Sequence, residues 1–423
     1  MRRCRQGSED RMPATSDEGR VSKGERLYAH ATEIIPGGGQ TNAKMPPPAM
    51  KGAYPPFIQR GQGPYVWDVD GNRYIDHKLG CGPIILGHAY PVVTEAAVRQ
   101  MYDGSCYPSA HPSEVRLAEL LIEVIPCAEM ARFLKSGAEA TAAAVRVART
   151  YTGREVVISC GYHGWHDWSM AKQPSVAGIP DCLRQLTLDL PFGDYERLEA
   201  LFREHGERIA ALIFAAPYDQ TVESIALFLR RARQLTSQYG AALIYDEIVT
   251  GFRVALGGLQ QLAGVIPDLT VVSKGMANGF PIAAVVGAKP LMQAWTRTTI
   301  SSTFAGEAVS IAASIACIEE LRCRDVAGEI SKRGAWLKQQ CESAAREEGL
   351  RLRGVGFDAL PNIVLEGEDA RLYEPLQRAL LLNGVLPYYP LWYISYSHDM
   401  GVMEETLAGF RRALVQVMSE EVA

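Results

Sequence analysis

Short apolar segments alternate with helical patterns through the middle of the chain, and this alternation restricts the fold more than any other feature of the sequence. The helical stretches fall between about residues 115 and 290 and separate segments that have the length and composition of buried strands. Strands joined through helices can lie parallel in one sheet, whose two faces the helices then cover. The sequence therefore predicts an α/β fold with a mainly parallel central sheet flanked by helices. The predicted strands are residues 131–134, 155–159, 209–215, 241–246, 269–273 and 282–287.

The segments on either side of this region have other patterns. Residues 63–76 alternate apolar and polar residues around Asp70-Gly71, which indicates a β-hairpin. The Asp-x-Asp-Gly of this turn also occurs in calcium loops, but the remaining EF-hand spacing and its closing Glu are absent from the sequence. Helical patterns near 305–322 and 326–347 lead into a C-terminal α+β portion. We predict four parts: a flexible tail at 1–22, an N-terminal segment of a small lobe at 23–80, a large domain at 81–322 and a C-terminal small domain at 323–423.

Composition narrows the class of protein. A formal net charge of -5, without a Lys/Arg-rich block, argues against a nucleic-acid surface. The nine cysteines are scattered without a Cys-x-x-Cys, which is typical of reduced thiols in a cytoplasm. No apolar run approaches the roughly 20 residues needed to span a bilayer, and the N-terminus lacks the apolar segment of a signal peptide. We therefore expect a cytoplasmic protein that binds neither nucleic acid nor a membrane.

A lysine and an aspartate each close one of the apolar segments. Asp246 ends Leu243-Ile-Tyr-Asp246 and Lys274 follows Thr270-Val-Val-Ser273, so both charges should project from the carboxyl ends of buried strands. A charged group is costly to bury unless it has a partner. Pyridoxal phosphate (PLP) would supply both partners, an aldehyde for the lysine and a ring nitrogen for the aspartate. A structural ion pair near two strand ends explains these two residues equally well.

A turn of small residues precedes the helical pattern of residues 142–150. Phe133-Leu-Lys-Ser136 indicates a strand end, and Gly137-Ala138 leads into a helix, which leaves several backbone N–H groups free around one point. Such an arrangement suits a phosphate. Capping turns use the same residues for structural reasons, so this turn alone is weak evidence.

A second turn follows the next apolar segment and contains Gly161-Tyr-His-Gly164. An aromatic ring flanked by glycines, here Tyr162, can lie flat against a planar ligand, and an aromatic turn cluster is the alternative interpretation. His163, His166 and Asp167 also have the residue types of a metal site. No further ligand cluster accompanies them in the sequence, and we predict no bound metal.

In this order and with this spacing, the motifs resemble those of the class III, fold-type I PLP-dependent aminotransferases, most closely the branch that contains glutamate-1-semialdehyde aminomutase. The resemblance runs from about Gly24 to the C-terminus. It implies a fold-type I PLP-dependent transferase fold, with a smaller α+β lobe from the N- and C-terminal segments. The motifs are the phosphate turn at 136–138, Gly161-Tyr-His-Gly164, Tyr245-Asp-Glu-Ile-Val-Thr-Gly-Phe-Arg253, Ser273-Lys-Gly275 and Ser302-Thr-Phe-Ala-Gly306.

The resemblance also implies roles for single residues. Lys274 would form the Schiff base with PLP and act as general base on the substrate Cα. Asp246 would keep the ring nitrogen protonated. Ser136, Gly137 and Ala138 would bind the phosphate, and Ala138 stands where the family usually has Thr or Ser.

Further positions of the resemblance surround the ring. Tyr162 would stack on one face of PLP and Ile248 would pack against the other, with His163 following the stacking tyrosine as in the family pattern. Thr303 matches the threonine that reaches the phosphate of the neighbouring subunit. This match implies a homodimer with shared active sites.

Departures from the family pattern concern the substrate more than the cofactor. Aminomutases of this branch have an arginine for the substrate carboxylate shortly after Pro-Gly-Gly, but here none occurs between Ile35 and Arg60. Lys44 replaces it only in part, because an ammonium lacks the bidentate fork of a guanidinium. Ala216-Pro217 stands where the family has Glu-Pro.

The C-terminal region departs as well. Many class III transaminases have an arginine there for the α-carboxylate, and this chain has none between Arg378 and Arg411. Residues 384–398 are instead rich in aromatic side chains, which indicates either packing within the lobe or the lining of a pocket. His398 resembles the Ser-x-x-His ending of the aminomutase-like branch.

Three hypotheses follow. We favour an aminotransferase that moves an amino group from a small-molecule donor to an unusual carbonyl acceptor, such as a sugar, a cyclic ketone or an intermediate of specialised metabolism. The alternative is glutamate-1-semialdehyde 2,1-aminomutase, which the missing arginine and the missing Glu-Pro disfavour. A non-enzymatic PLP-binding regulator is disfavoured because Lys274 is retained and no helix-turn-helix is recognisable.

Overall fold

The strands and helices of the protein follow its apolar pattern closely. The computed structural model describes residues 19–173 and 175–422, so residues 1–18 of the predicted tail lie outside the described residues. The strands are β1 Ile58–Gln62, β2 Tyr65–Asp68, β3 Arg73–Asp76, β4 Met130–Leu134, β5 Val156–Cys160, β6 Thr187–Asp189, β7 Ile209–Ala215, β8 Ala242–Asp246, β9 Leu269–Val272, β10 Ala283–Gly287, β11 Leu352–Val355, β12 Asn362–Leu365 and β13 Val385–Leu386. The α-helices are α1 Ser22–Ile34, α2 Pro91–Asp103, α3 Pro112–Val124, α4 Gly137–Thr152, α5 Asp167–Met170, α6 Asp181–Arg184, α7 Tyr195–His205, α8 Val222–Tyr239, α9 Leu259–Ala263, α10 Lys289–Gln293, α11 Ala308–Cys323, α12 Val326–Glu347, α13 Tyr373–Leu382 and α14 Met400–Val422.

The central sheet confirms the predicted α/β fold. It has seven strands in the order β4-β10-β9-β8-β7-β5-β6. Strands β9, β8, β7, β5 and β6 pair in parallel, whereas β10 is antiparallel to both of its neighbours. Both ends of every predicted strand lie within one residue of the corresponding observed end. The sheet is therefore mainly parallel, as the alternation of strands and helices predicts.

The connection from β9 to β10 explains why β10 is reversed. It comprises residues 273–282 and contains a short 3₁₀ helix, Lys274–Ala277. A parallel crossover needs a dozen or more residues, usually including an α-helix. The chain turns back instead, and β10 pairs with β9 from Ala284↔Val272 to Gly287↔Leu269. Lys274 thus lies in a tight reversal at the carboxyl end of β9.

Alternate residues of the central strands enter two separate cores. In β7, Leu212 and Phe214 belong to one core, which α3, α7 and α8 cover, while Ala211 and Ile213 belong to another core, covered by α4. This division follows from the strand itself, because successive side chains point to opposite faces of a sheet. Each large apolar side chain buried in this way stabilises the fold by about 1.5–3 kcal/mol. The two cores hold the carboxyl edge of the sheet in place.

A second sheet joins the two ends of the chain. It has the order β1-β2-β3-β13, and the C-terminal strand β13 pairs in parallel with β3. A small core of Met50, Tyr54, Tyr74 and Leu386, among others, lies against this sheet. The N- and C-terminal segments therefore pack together, while the boundaries at residues 80 and 322 stay predictions.

The turn between β2 and β3 has a structural role, because its aspartates accept hydrogen bonds from backbone N–H groups. The Asp68 carboxylate accepts hydrogen bonds from the N–H groups of Asp70 and Asn72, at 3.0 and 2.8 Å. The Asp70 carboxylate in turn accepts from the N–H groups of Lys23 and Gly24, both at 2.8 Å, at the first turn of α1. Free N–H groups at a helix start bind such carboxylates well. The acidic residues of this hairpin thus hold the first helix.

The remaining C-terminal elements surround a two-stranded sheet. Strands β11 and β12 pair antiparallel, and α12 contacts both β11 and α14. Among the residues that the structure describes, no helix is long and apolar enough to cross a membrane.

Candidate active site

Asp246 and Lys274 lie together at the carboxyl edge of the central sheet. Asp246 is the last residue of β8 and pairs with Val271 of the neighbouring parallel strand β9. Lys274 follows shortly after Val271 and has a φ of 38°, a left-handed conformation that is uncommon for a residue other than glycine. Such backbone conformations cluster at functional sites.

His163 fixes the Asp246 carboxylate. The Nδ1–H of His163 donates to Asp246 Oδ2 at 2.8 Å, and the N–H of Ile248 donates to Oδ1 at 3.2 Å. His163 is 1% exposed and stacks against Trp168 with ring centroids 6.0 Å apart. This contact joins residues 83 positions apart and holds Asp246 in one orientation. In the sequence, His163 was recognised only because it follows Tyr162, and nothing there indicated its contact with Asp246.

The surroundings of Lys274 favour the uncharged amine. Burial lowers the pKa of the Lys274 amine from its ordinary value, while Cys81 and Asp246 oppose this shift and Arg253 adds to it. A neutral amine is the nucleophilic form that attacks an aldehyde. The lysine therefore has the electrostatic setting that the chemistry of a carbonyl ligand requires.

The turn before α4 presents backbone N–H groups to the same edge. Ser136 caps α4, because its Oγ accepts from the N–H of Glu139 at 3.3 Å and the Glu139 carboxylate accepts from the N–H of Ser136 at 2.9 Å. The N–H groups of Gly137 and Ala138 have no acceptor among the described residues. A helix start with unsatisfied N–H groups is an anion site.

Close packing brings this turn to Ile248 and to the turn of His163. A Cβ on Gly137 would lie 2.5 Å from Ile248 Cδ1, and one on Gly164 would lie 2.6 Å from the Ala138 Cβ. Neither position tolerates a side chain without displacing its neighbour. The structure thus assembles the phosphate turn, Ile248, His163 and Asp246 in one place.

Two of the predicted site residues are exposed to solvent in the single chain. Tyr162 is 64% exposed, and Thr303 is exposed in the loop before α11. That loop is tied to the phosphate turn by an ion pair between Lys135 Nζ and Glu307 Oε2 at 3.0 Å. Thr303 is therefore near the edge of the site and accessible to another molecule.

Arg253 braces the wall of the site and was not predicted as a site residue. It is 1% exposed and donates to the carbonyl oxygens of Ile394 at 2.7 Å and Gly82 at 2.8 Å. No carboxylate of the described residues forms an ion pair with it, and burial lowers its pKa to about 10. Its guanidinium lies 5.1 Å from the centroid of the Tyr393 ring. The signal in the sequence is its place at the end of the Asp246 motif.

The C-terminal aromatic cluster divides between the two expected roles. Trp392 is fully buried against His77, with ring centroids 5.1 Å apart, and therefore packs within the lobe. Tyr388 stacks on Tyr393 at 6.2 Å, and both act with Asp246 to raise the pKa of Tyr218, after burial as the main cause. Tyr218 therefore lies close enough to Asp246 to interact with its charge, and Tyr388 and Tyr393 lie beside Tyr218.

His398 belongs to the lobe and not to the site. It is fully buried, accepts from the N–H of Ser395 at 3.1 Å through Nδ1, and stacks on His77 at 4.4 Å. Burial, followed by the nearby His77, holds the pKa of His398 well below its usual range.

The residues at this edge fit PLP. They provide an amine of lowered pKa, a fixed carboxylate, and a helix start whose N–H groups lack acceptors. An aldehyde, a ring nitrogen and a phosphate are the matching groups of one cofactor.

The comparison with protein families agrees with the geometry. Residues 49–378 match the sequence model of the family described as Aminotransferase class-III. The chain belongs to this family. It is a PLP-dependent class III aminotransferase with the fold-type I architecture.

Individual relatives differ in their names. The chain is 33% identical to the 3-aminobutyryl-CoA aminotransferase of Cloacimonas acidaminovorans, over 94% of this chain and 98% of that protein. It is also 33% identical to the glutamate-1-semialdehyde 2,1-aminomutase of Aquifex aeolicus, over 93% of this chain and 100% of that protein. The PLP-containing structure of the FumI protein of Sphingopyxis sp. MTA144 has a TM-score of 0.88 and 28% identity, covering 95% of this chain and 98% of that one.

Proposed function

We propose that this enzyme transfers an amino group from a small-molecule donor to a carbonyl acceptor, with PLP held on Lys274 as a Schiff base. One observation carries the proposal: Lys274 and Asp246 lie at the ends of neighbouring strands, and His163 orients Asp246 through a bond of 2.8 Å. A structural ion pair requires neither this additional histidine nor a lysine of lowered pKa.

The residues around the cofactor divide the chemistry. When bound, PLP supplies an electron-accepting ring next to the reacting carbon of the substrate. Asp246 would hold a proton on the ring nitrogen, and the hydrogen bond from His163 fixes the orientation of its carboxylate. Lys274 moves a proton at the substrate Cα, which its flexible four-carbon stem allows it to reach.

Binding of the cofactor rests on the turn and the two ring faces. Ser136, Gly137 and Ala138 bind the phosphate through the start of α4. Ile248 packs against one face of the ring, and Gly137 leaves room for it, since a side chain there would push Ile248 out of position. Tyr162, which is mostly exposed in the single chain, stacks on the other face.

A homodimer would complete the site. Thr303 is exposed, which supports a role at the phosphate of a second subunit. In that arrangement, mixing Lys274→Ala subunits with Thr303→Ala subunits that bind PLP weakly should change the activity, because heterodimers contain sites of mixed composition. A monomer that is fully active at nanomolar concentration contradicts this part of the proposal.

The substrate is an unusual carbonyl compound, such as a sugar, a cyclic ketone or an intermediate of specialised metabolism. Support comes from Tyr218, which interacts with the charge of Asp246, and from the neighbouring Tyr388 and Tyr393, since the three offer flat faces and hydroxyl groups. Burial raises the pKa of each phenol, so all three hydroxyl groups stay protonated and are able to donate a hydrogen bond to a substrate.

Glutamate-1-semialdehyde 2,1-aminomutase is the alternative. Relatives of that name are as similar to this chain as the aminobutyryl-CoA aminotransferase, so sequence identity does not separate the two activities. The missing arginine near Lys44 and the Ala216-Pro217 pair favour the aminotransferase. We expect turnover of glutamate-1-semialdehyde to be well below that of a dedicated enzyme.

A donor and acceptor screen tests the proposed function. Purified PLP-loaded enzyme is mixed with single amines, and the loss of the PLP absorbance reports amino transfer to the cofactor. Candidate carbonyl compounds are then added to the aminated enzyme, and the return of that absorbance identifies acceptors. Lys274→Ala is the control that should show neither change. Efficient conversion of glutamate-1-semialdehyde without an external donor would establish the mutase instead.

A further inference from the structure

Lys78 is a buried cation with too few partners. It is 8% exposed, and among the described residues its Nζ donates one hydrogen bond, to the Tyr54 hydroxyl at 2.7 Å. An ammonium has three N–H donors. No carboxylate in the described part of the chain forms an ion pair with it. A buried charge normally has a partner of opposite sign, so this arrangement is incomplete.

The nearest carboxylate is already engaged. Asp76 Oδ1 accepts from the backbone N–H groups of Lys78 at 2.9 Å and Leu79 at 2.8 Å. Its Oδ2 lies 2.8 Å from Nε2 of His88. Both oxygens of Asp76 thus hold the turn after β3, and the Lys78 ammonium points elsewhere.

The ammonium lies next to the stacked pair Tyr388 and Tyr393. Its Nζ is 5.5 Å from the centroid of the Tyr388 ring, and Tyr388 stacks on Tyr393 at 6.2 Å. The same stretch of chain continues to Cys81 and to Gly82, whose carbonyl oxygen accepts from Arg253. Arg253, the last residue of the Asp246 motif, therefore anchors the chain segment that carries Lys78.

The residues that influence the pKa of Lys78 also connect it to the site. Burial lowers the pKa of Lys78, Lys44 adds to the decrease, and Cys81 and Asp76 oppose it. Cys81 also acts on Lys274, so one thiol is near both amines. Lys44 is linked to the same place because its carbonyl oxygen accepts from the Tyr54 hydroxyl at 3.3 Å.

We infer that Lys78 is the centre of an oxyanion subsite, which binds a carboxylate or phosphate group of the substrate at the end away from the reacting carbon. Tyr54 orients the ammonium, and Lys44 adds a second, exposed positive charge at the entrance. A bound oxyanion supplies the acceptors that the two free N–H groups of Lys78 lack. The inference rests on the proposed function, whose substrate class it narrows to anionic carbonyl compounds and amines.

Equilibrium binding tests the subsite without any reaction. PLP-loaded wild-type enzyme is titrated calorimetrically with butanoate, propylphosphonate and the neutral butanamide, none of which has a reactive amine. We expect at least one of the two anions to bind about tenfold or more tightly than butanamide, the ratio for one charge-assisted hydrogen bond. Lys78→Met should reduce this ratio to near one, whereas the exposed Lys332→Met should leave it unchanged.

Thermal unfolding separates this role from a structural one. Lys78→Met removes an incompletely paired buried charge and should keep or raise the Tm. An unchanged preference for anions in a folded Lys78→Met variant overturns the inference. If that variant does not fold, the wild-type titration decides alone, because equal affinity for butanoate and butanamide also overturns it.

Reaction of matched amines shows which oxyanion is used. The amines 4-aminobutanoate, 3-aminopropylphosphonate and butylamine differ only in the group at one end, and each is followed through loss of the PLP absorbance. Preference for the first indicates a carboxylate and preference for the second a phosphate, and Lys78→Met should remove either preference. Binding of anions without reaction of any amine contradicts the proposed function but supports the subsite. Equal reaction of all three amines does the reverse.

Discussion

The cofactor half and the substrate half of the proposed site differ in how their charged groups are paired. In the cofactor half, formed by Asp246, His163 and Lys274, the carboxylate is held by His163 at 2.8 Å and by the N–H of Ile248. In the proposed substrate half, formed by Lys78, Tyr54 and Tyr388, the hydrogen-bond partner of the ammonium among the described residues is a neutral hydroxyl. One half is completed within the chain, and the other leaves donors free.

This difference indicates what each half has to recognise. A cofactor that is always the same molecule is best bound by groups held in one orientation, since preorganisation lowers the cost of binding. A substrate is distinguished from similar compounds by buried polar groups that stay unpaired when the wrong compound binds. Free donors on Lys78 are therefore the expected signature of specificity, and the following predictions test the division.

The largest effect should follow removal of the cofactor-half lysine. Lys274→Ala should keep the fold but reduce turnover by about 10³-fold or more, because in the proposed mechanism one side chain both binds the aldehyde and moves the proton. Borohydride reduction of the wild-type enzyme followed by peptide mass mapping should find the pyridoxyl group on Lys274. A label on Lys78 or any other lysine would reverse the roles of the two halves.

Lowering the pH should destabilise the part of the fold that lies next to Lys78. His77, next to Lys78, is fully buried, and burial lowers its pKa to about 4. The unfolded chain therefore takes up a proton first, and the stability that neutral His77 contributes is complete above about pH 6.5 and is lost as the pH falls toward 4. We expect the free energy of unfolding to fall by about 2 kcal/mol between pH 7 and pH 5 from this group.

Urea unfolding at the two pH values measures this loss. His77→Gln, which cannot titrate, should reduce the difference between them, and the exposed His30→Gln should not. His398 shifts in the same direction, so part of the pH dependence should remain. An equal pH dependence in wild type and His77→Gln contradicts the assignment.

Loss of the His163 contact should have an intermediate effect. His163→Leu removes the donor to Asp246 and should lower kcat about tenfold, as expected for one hydrogen bond to a charged group. His163→Asn keeps an N–H near the place of Nδ1 and should recover part of the rate. PLP affinity and the absorbance of the bound cofactor should change in parallel. Because His163 acts through Asp246, equal rates in the Leu and Asn variants would argue against this positioning role.

The exposed lysine of the substrate half should have the smallest effect. Lys44→Ala should raise KM for an anionic amine about two- to threefold and leave kcat unchanged, because an exposed charge is screened by solvent. The neutral butylamine serves as the comparison and should react at the wild-type rate. A larger effect at Lys44 than at Lys78 would place the oxyanion at the entrance instead.

Much of the fold could be predicted because its strands are buried on both faces. Continuous apolar runs such as residues 209–215 and 282–287 mark such strands directly. β6, Thr187–Asp189, was not predicted, since a three-residue edge strand leaves almost no pattern. The reversal of β10 was also missed, because the apolar content of a strand does not depend on its direction.

The candidate site was predictable only where its residues share a motif. Asp246, Lys274 and the turn at Ser136 each follow a strand, so local patterns locate them. The contacts of His163 with Asp246 and of Lys78 with Tyr54 join residues distant in sequence through the tertiary fold, and no spacing rule connects them. Arg253 could be recognised in the sequence only as the last residue of the Asp246 motif.

The reversal between β9 and β10 has a mechanical consequence for Lys274. Both ends of this connection are anchored in the same sheet, since β10 pairs with β9 on one side and with β4 on the other. The backbone that carries Lys274 is thus fixed at both ends by strand pairing. Whatever distance the amine covers between cofactor and substrate must come from rotation about the bonds of its own side chain. In the proposed reaction, the length of that side chain, rather than loop motion, sets the range of the Lys274 amine.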